Sequence, residues 1–232
     1  MKRVLITGAN RGIGLGLALA CAARGDHIFA TCRTPVENEE LHSLAAQYPG
    51  RITILPLDVT DETGIADCAT RVASLAAGLD ILFNNAAVNF GDESLSNVRS
   101  DVLLNTLQIN AIGPLLVAQQ FLDLLHHGED PKIVNISSES GSISTMVKFR
   151  GYGYYGSKAA LNMYTRALAV DPQAEGITVI AMHPGWVRTD MGGSGAHLSI
   201  QESAAGILRV CDGLRPEDNN KFYTWEGKLF PW

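Results

Sequence analysis

The chain has 232 residues, of which 46% are hydrophobic and 18% charged, a balance that supports a sizeable core and argues against disorder. The formal charge is −6 and no long basic stripe is present, so nucleic acid is an unexpected partner. No signal peptide follows Met1 and no apolar run reaches membrane-spanning length, so we expect a cytoplasmic protein without a membrane partner.

Apolar runs of strand length alternate with longer stretches of helical periodicity along the chain. Strands are predicted at residues 4–7, 27–32, 52–57, 80–84, 132–137, 178–182 and 222–225. Helices are predicted at residues 14–24, 36–48, 61–77, 152–170 and 201–211, with another long helical region interrupted near Gly113-Pro114 and ending near His127. The alternation and the continuously apolar strands predict one α/β domain over residues 1–232, a Rossmann-type doubly wound parallel sheet of about seven strands with helices on both faces.

A glycine-rich turn joins the first strand to the first helix, and it reads Thr7-Gly8-Ala9-Asn10-Arg11-Gly12-Ile13-Gly14. Glycines let a pyrophosphate approach the backbone, and a helix N-terminus supplies amide donors and positive dipole. The turn therefore predicts dinucleotide binding, with contacts from Gly8, Asn10, Arg11, Gly12, Ile13 and Gly14. A tight turn without a ligand is the alternative, and the strand–helix context makes it the less favoured one.

The end of the second strand indicates which dinucleotide is bound. It reads Thr31-Cys32-Arg33 and lacks the acid that an NAD-selective site places there, while Asp26 lies at the opposite end of the strand. Arg11 and Arg33 together suit a 2′-phosphate, because guanidinium groups bind phosphate well. The sequence therefore favours NADP(H) over NAD(H), with two solvated surface arginines as the alternative.

Tyr154 and Lys158 are four residues apart and share one face of a predicted helix. A nearby ammonium stabilises a phenolate and lowers the tyrosine pKa from ~10, which makes the hydroxyl a usable acid or base. The pair alone is a weak signal, since an aromatic–aliphatic packing pair has the same spacing. Other polar positions accompany it at predicted strand ends and inside a helix: Asn84-Asn85, Ser137-Ser138 and Asn110.

Together these motifs resemble the short-chain dehydrogenase/reductase family, in the family's order and over nearly the whole chain. The turn at residues 7–14 matches Thr-Gly-x-x-x-Gly-x-Gly, and Asn84-Asn85-Ala86-Ala87 is similar to Asn-Asn-Ala-Gly with alanine replacing the last glycine. Within the family, the chain resembles carbonyl reductases of the sniffer and C-signalling factor type. That likeness rests on residues 5–12, 31–33, 190–193 and 227–232.

The resemblance implies the functional residues. The implied catalytic residues are Asn110, Ser138, Tyr154 and Lys158. Tyr154 and Lys158 are also implied to contact the cofactor, together with Arg33, Asp58, Val59, Asn85, Ala86, Ala87, Pro184, Gly185, Val187 and Thr189. The implied activity is NADP(H)-dependent reduction of a small-molecule carbonyl (an aldehyde, ketone or quinone) to an alcohol, by hydride transfer with Tyr154 as general acid. A homodimer or homotetramer is the implied assembly.

Two other functions stay open. One is a dinucleotide-binding signalling or regulatory protein with little turnover, although such a protein needs neither Tyr154 nor Lys158. The other is an NAD-dependent alcohol dehydrogenase. The four cysteines form no zinc-ligand pattern, so we expect free thiols and no metal. Residues 192–199, rich in glycine and small side chains, are predicted to order over a bound substrate.

Overall fold

The computed structural model describes residues 1–91, 93–149 and 151–232. Over these residues, seven strands form one parallel sheet: β1 (Arg3–Thr7), β2 (His27–Cys32), β3 (Ile52–Pro56), β4 (Ile81–Asn84), β5 (Lys132–Ile136), β6 (Thr178–His183) and β7 (Lys221–Thr224). Their order is β3-β2-β1-β4-β5-β6-β7. The order reverses between β1 and β4, so the loops at their carboxyl ends diverge and leave a crevice. The predicted doubly wound parallel sheet is confirmed.

Helices cover both faces of this sheet. In the described chain they are α1 (Gly12–Ala23), α2 (Glu39–Gln47), α3 (Glu62–Ala73), α4 (Ser100–Leu107), α5 (Gly113–Gln120), α6 (Leu122–His126), α7 (Tyr152–Ala169) and α8 (Ile200–Gly213). One apolar core, with Leu17, Phe83 and Ile207, lies between the sheet and α1, α2 and α8. The other, with Phe29 and Phe121, lies under α3, α5 and α6. Both strand faces are therefore buried, which explains their unbroken apolar sequence.

The predicted helix at residues 36–48 is divided. A 3₁₀ turn, Pro35–Glu37, comes first, and Asn38 then caps α2 by accepting a 2.8 Å hydrogen bond from the Leu41 amide. The apolar periodicity of the sequence does not show where a helix is capped. Here the Asn38 side chain stabilises an extended backbone between the 3₁₀ turn and α2.

The interruption that we predicted near Gly113-Pro114 lies one turn earlier, as a π-helical turn at Gln108–Ile112. Gly113 and Pro114 instead form the start of α5, directly after the π-helical turn. The run Ser100–Gln120 consequently continues for 21 residues, and by length and composition it is apolar enough to cross a membrane. This differs from the sequence expectation, which treated the run as broken. A helix of a protein core passes the same test, and Asn110 and Ala111 at its centre are buried.

Candidate active site

A cavity of about 700 Å³ opens at the carboxyl edge of the sheet, over the crevice between β1 and β4. It is lined by most of the residues that the sequence predicted: Gly8, Asn10, Arg11, Gly12, Ile13, Arg33, Asp58, Val59, Asn85, Ala86, Ala87, Tyr154, Lys158, Pro184 and Thr189. These residues are scattered over 182 positions of sequence, from Gly8 to Thr189, and parallel strands bring them to one edge.

The glycine turn is shaped by two left-handed residues. Gly8 and Gly12 have φ angles of 64° and 54°, a region that side chains with a Cβ rarely adopt. The Thr7 hydroxyl accepts hydrogen bonds from the Asn85 and Ala86 amides, both at 3.0 Å, and so ties the turn to the segment after β4. The turn and the Asn-Asn-Ala-Ala segment therefore form one wall of the cavity.

Three predicted cofactor contacts, Gly14, Gly185 and Val187, do not line the cavity. A Cβ added to Gly14 would lie 2.2 Å from the Gly8 carbonyl oxygen, so this glycine allows α1 to pack against the turn. Gly185 has a φ of 84° and backs onto Trp225. Val187 is buried and pairs with Leu198 in an isolated bridge. These positions shape the loops that line the cavity.

The N-terminus of α1 fits an anionic group. In the described chain no side chain caps this helix and its first turn contains no acid, so its amide donors face the cavity without a competing carboxylate. A backbone of this shape, with two left-handed glycines and free amides, suits a pyrophosphate. The residues present therefore fit a dinucleotide on structural grounds.

The two arginines have different surroundings. Arg33 is exposed on the cavity rim and has no ion-pair partner among the described residues. Arg11 contacts Asp190 of the loop after β6, with 2.9 Å between Nη1 and Oδ2, although both side chains are largely exposed. Glu40 of α2 also lines the cavity. This acid was not predicted from the sequence, because it lies on α2 and not directly after β2.

Lys158 is buried at 3% exposure in the cavity wall. Its Nζ donates a 2.7 Å hydrogen bond to the Ile136 carbonyl, and it lies 5.9 Å from the centre of the Tyr154 ring. Burial lowers the pKa of Lys158 to about 7. The two side chains share one face of α7, as their spacing predicted, and Tyr154 is half-buried beside the cavity.

The two serines after β5 have separate partners. Ser137 lines the cavity and donates a 2.6 Å hydrogen bond to Asn162 Oδ1, one turn beyond Lys158 on α7. Ser138 is 9% exposed, and its Oγ accepts a 3.1 Å hydrogen bond from the Ser140 amide. The Ser138 hydroxyl proton is not used in that bond. It is available to donate elsewhere.

The Asn110 side chain is fully engaged inside the protein. Its amide exchanges hydrogen bonds with the Val88 backbone, both at 2.8 Å, and donates a 3.0 Å bond to Ser157 Oγ. Ser157 in turn donates to the Tyr154 carbonyl at 2.9 Å. Asn110 thus links the segment after β4 to the turn of α7 that carries the tyrosine.

Sequence analysis missed Ser157 and Thr7 as linking residues. Ser157 lies within the Tyr-x-x-Ser-Lys motif, but only the fold brings it to Asn110. Cys32 was also missed, and it lines the cavity beside Arg33. All four cysteines are buried free thiols, as expected. Met191 lines the cavity, whereas the apolar side chains of Met146, Phe149, Trp186 and Leu198 do not.

Comparison with known proteins identifies the class. Residues 2–197 match the short chain dehydrogenase family. The structure superposes on an NADPH-bound carbonyl reductase from chicken fatty liver with a TM-score of 0.93, 36% identity, and coverage of 100% of this chain and 99% of the other. It superposes on the carbonyl reductase Sniffer of D. melanogaster with a TM-score of 0.94, 34% identity and full coverage of both chains. The chain therefore belongs to the short-chain dehydrogenase/reductase family of oxidoreductases.

The chain also has a similar sequence among bacterial proteins. C-signal of Myxococcus xanthus is 40% identical over 154 residues, which cover 66% of this chain and 93% of the relative. The predicted likeness to both the sniffer and the C-signalling factor types is confirmed.

Proposed function

We propose that the protein reduces an aldehyde, ketone or quinone to an alcohol with NADPH, and that Tyr154 is the general acid. The observation that carries the proposal is the buried Lys158 beside Tyr154 in the wall of a cavity that also contains the glycine turn. A buried lysine without a carboxylate partner is costly to a fold, so its retention beside a phenol indicates chemistry.

NADP(H) is the cofactor that the residues and the neighbours favour. Arg33, which the sequence predicted as a contact for the 2′-phosphate, is exposed on the cavity rim. It has no carboxylate partner among the described residues, so it suits that group. Arg11 suits the same group, and it would have to leave or share its contact with Asp190. NADPH is bound to the chicken-liver neighbour, and NADP to a short-chain dehydrogenase/reductase from Burkholderia multivorans. When bound, NADPH supplies the hydride.

The chain's own residues supply the proton and the hydrogen bonds. The Tyr154 hydroxyl gives its proton to the carbonyl oxygen, and Lys158 stabilises the phenolate that is left. Ser138 directs its free hydroxyl proton to the same oxygen and stabilises the developing charge. The Lys158–Ile136 hydrogen bond joins α7, which carries Tyr154, to the end of β5, two residues before Ser138.

Asn110 is assigned two roles. Its side chain positions Tyr154 through Ser157. The π-helical turn around it leaves backbone carbonyls outside the regular helical ladder, and such a carbonyl suits a water that relays protons from Lys158 to solvent.

The test is the Tyr154→Phe variant, assayed by NADPH oxidation with a panel of aldehydes, ketones and quinones. We expect turnover to fall by about 10²–10⁴, the usual contribution of a general acid, while NADPH affinity is retained. Tyr164→Phe, on the same helix and outside the cavity lining, is the matched control and should keep full activity. Full turnover in Tyr154→Phe would refute the assignment.

The C-signal likeness favours a second candidate, a cofactor-dependent signalling protein with little turnover. The same panel separates the two, because NADPH binding without reduction of any carbonyl by the wild-type protein favours the second candidate. Preference for NADH in that assay would instead favour an NAD-dependent alcohol dehydrogenase.

The proposal extends to a single cytoplasmic reductase domain over residues 1–232 that assembles as a homodimer or homotetramer. A face of α7 supports the assembly. Met163 is 62% exposed on it, and Leu104 of the neighbouring α4 is 66% exposed. Apolar side chains left uncovered on adjacent helices suit an isologous helix–helix contact.

A further inference from the structure

The segment after β7, residues 225–232, doubles back along the edge of the sheet. Thr224 and Phe230 amides donate to the Lys228 and Phe222 carbonyls at 2.8 and 2.7 Å, and Tyr223 forms an antiparallel bridge with Leu229. This return brings the last residues across β7 and the end of β6. The Phe230 ring there lies 5.8 Å from His183, whose Nδ1 accepts a hydrogen bond from the Glu139 amide.

Trp232 ends this return at a junction of three elements. Its ring lies 5.4 Å from Phe222 of β7, and the Arg166 guanidinium of α7 lies 5.4 Å from the ring on the other side of the junction. Its carbonyl oxygen accepts hydrogen bonds from Ser144, 2.9 Å from Oγ and 3.4 Å from the amide nitrogen. Trp232 therefore connects the edge strand and the tyrosine-bearing helix to the segment that follows Ser138.

The segment that Trp232 holds, residues 142–149, lies in sequence between the two proposed carbonyl-binding residues, Ser138 and Tyr154. Four of its eight side chains are apolar and exposed: Ile143 is 80%, Met146 50%, Val147 87% and Phe149 51% exposed. Its far end is held by α7, where the Tyr155 hydroxyl donates to the Lys148 carbonyl and Phe149 contacts Tyr152 with 4.8 Å between ring centres. We call residues 142–149 the apolar flap.

We propose that Trp232 is a positioning residue that braces the apolar flap and thereby sets which carbonyl substrates the site accepts. The flap is anchored by Trp232 at one end and by the first turn of α7 at the other, and its middle has an exposed apolar surface. A flap held at both ends keeps the chain between Ser138 and Tyr154 in one place, whereas a flap released at Ser144 is free to move. This inference rests on the proposed reductase function.

The first test measures the brace without any catalytic assay. Amide hydrogen exchange of residues 142–149 should be about tenfold faster in Trp232→Ala than in the wild-type protein, while exchange in β1 and α1 is unchanged. Trp232→Phe keeps a ring for Phe222 and Arg166 and should exchange as the wild type does. Unchanged exchange of the flap in Trp232→Ala overturns the brace.

The second test measures specificity with NADPH saturating. The ratio of kcat/KM for menadione to that for propanal should change about tenfold in Trp232→Ala and stay within about twofold in Trp232→Phe, because displacement of the flap affects the larger substrate most. NADPH affinity should be the same in all three proteins. An unchanged ratio, or an equal loss for both substrates, overturns the role in specificity.

A second variant keeps both tests informative if Trp232→Ala misfolds. Ser144→Ala removes the 2.9 Å hydrogen bond and leaves the ring contacts, so it should shift flap exchange and the substrate ratio in the same direction by a smaller factor. If neither flap exchange nor the substrate ratio shifts in Ser144→Ala, the brace is contradicted. If the wild-type protein reduces no carbonyl at all, the proposed function fails, and the exchange measurement still decides whether Trp232 holds the flap.

Discussion

The two edges of the sheet treat buried charge in opposite ways. At the amino edge, buried charges are paired. Asp80, 1% exposed before β4, receives two hydrogen bonds from the Arg3 side chain, at 2.6 and 3.1 Å, and 2.6 Å bonds from the Arg3 and Glu129 amides. Lys132 at the start of β5 is paired with Asp130, and Asp26 before β2 with Arg24.

At the carboxyl edge a buried charge is held in a different way. Lys158 is as buried as Lys132, but its hydrogen-bond partner is a backbone carbonyl, and no ion pair reaches it among the described residues. The pKa values follow this difference. Burial would raise the pKa of Asp80, yet the Arg3 and Glu129 hydrogen bonds hold it below its usual value, whereas burial alone lowers the pKa of Lys158. A charge paired with its opposite stabilises the fold, and a buried charge left unpaired is available for proton chemistry.

The largest effect should come from the unpaired charge. Lys158→Met should lower carbonyl reduction by about 10²–10⁴, because Tyr154 then loses the ammonium that stabilises its phenolate. Steady-state assays with NADPH measure this. Lys2→Met, at the amino edge of the sheet, is the matched control for a lost lysine charge, and comparable activity in the two variants would contradict the role of Lys158.

The same variant tests the pKa of Lys158 through stability. The folded pKa, about 7, is below the unfolded value of ~10.4, so between these pH values only the unfolded chain holds the proton and stability rises with pH. Below pH ~7 both states are protonated and the folded state bears the full cost of the buried charge. Denaturant unfolding at pH 6 and pH 9 should therefore show that the free energy of unfolding of the wild type rises with pH relative to that of Lys158→Met. A constant difference at both pH values would contradict the shift.

The next largest effect should be on folding at the paired edge. Asp80→Asn should lower the free energy of unfolding by about 3 kcal/mol, because Arg3 loses its buried carboxylate partner. Cofactor affinity and turnover per folded molecule should not change. Asp101→Asn breaks an Arg–Asp pair that is exposed on both sides, and it should leave the unfolding midpoint nearly unchanged. Equal midpoint shifts in the two variants would show that burial of the pair is irrelevant.

The smallest effect should be at the cavity rim. Arg33→Gln should weaken NADPH binding by about ten- to a hundredfold, the value of a charge-assisted hydrogen bond, and leave NADH binding nearly unchanged. Fluorescence titration of both cofactors measures the difference. Arg71→Gln on the exposed surface of α3 controls for lost positive charge. Equal weakening of NADPH binding and NADH binding would show that Arg33 does not determine the preference for NADPH.

Much of the fold followed from the sequence, because each buried strand is short, apolar and bounded by turn residues. The glycine turn and the Tyr154–Lys158 spacing also located one wall of the cavity, since both motifs describe local geometry. The contacts of Asn110 with Val88 and Ser157 could not be predicted, because they depend on how α4, the π-helical turn and α7 pack. The contacts of Trp232 with Ser144 and Arg166 were missed for the same reason, because these partners are distant in sequence and no local pattern records such a contact.

The π-helical turn at Gln108–Ile112 makes the orientation of Asn110 depend on the number of residues in this stretch of helix. Such a turn holds one more residue than the α-helix around it, and each helical residue advances by about 100° around the axis. Removing one residue between positions 108 and 112 would allow a regular helix but rotate Asn110 relative to either α4 or α5. The turn therefore constrains insertions and deletions here as strictly as it constrains the identity of the asparagine.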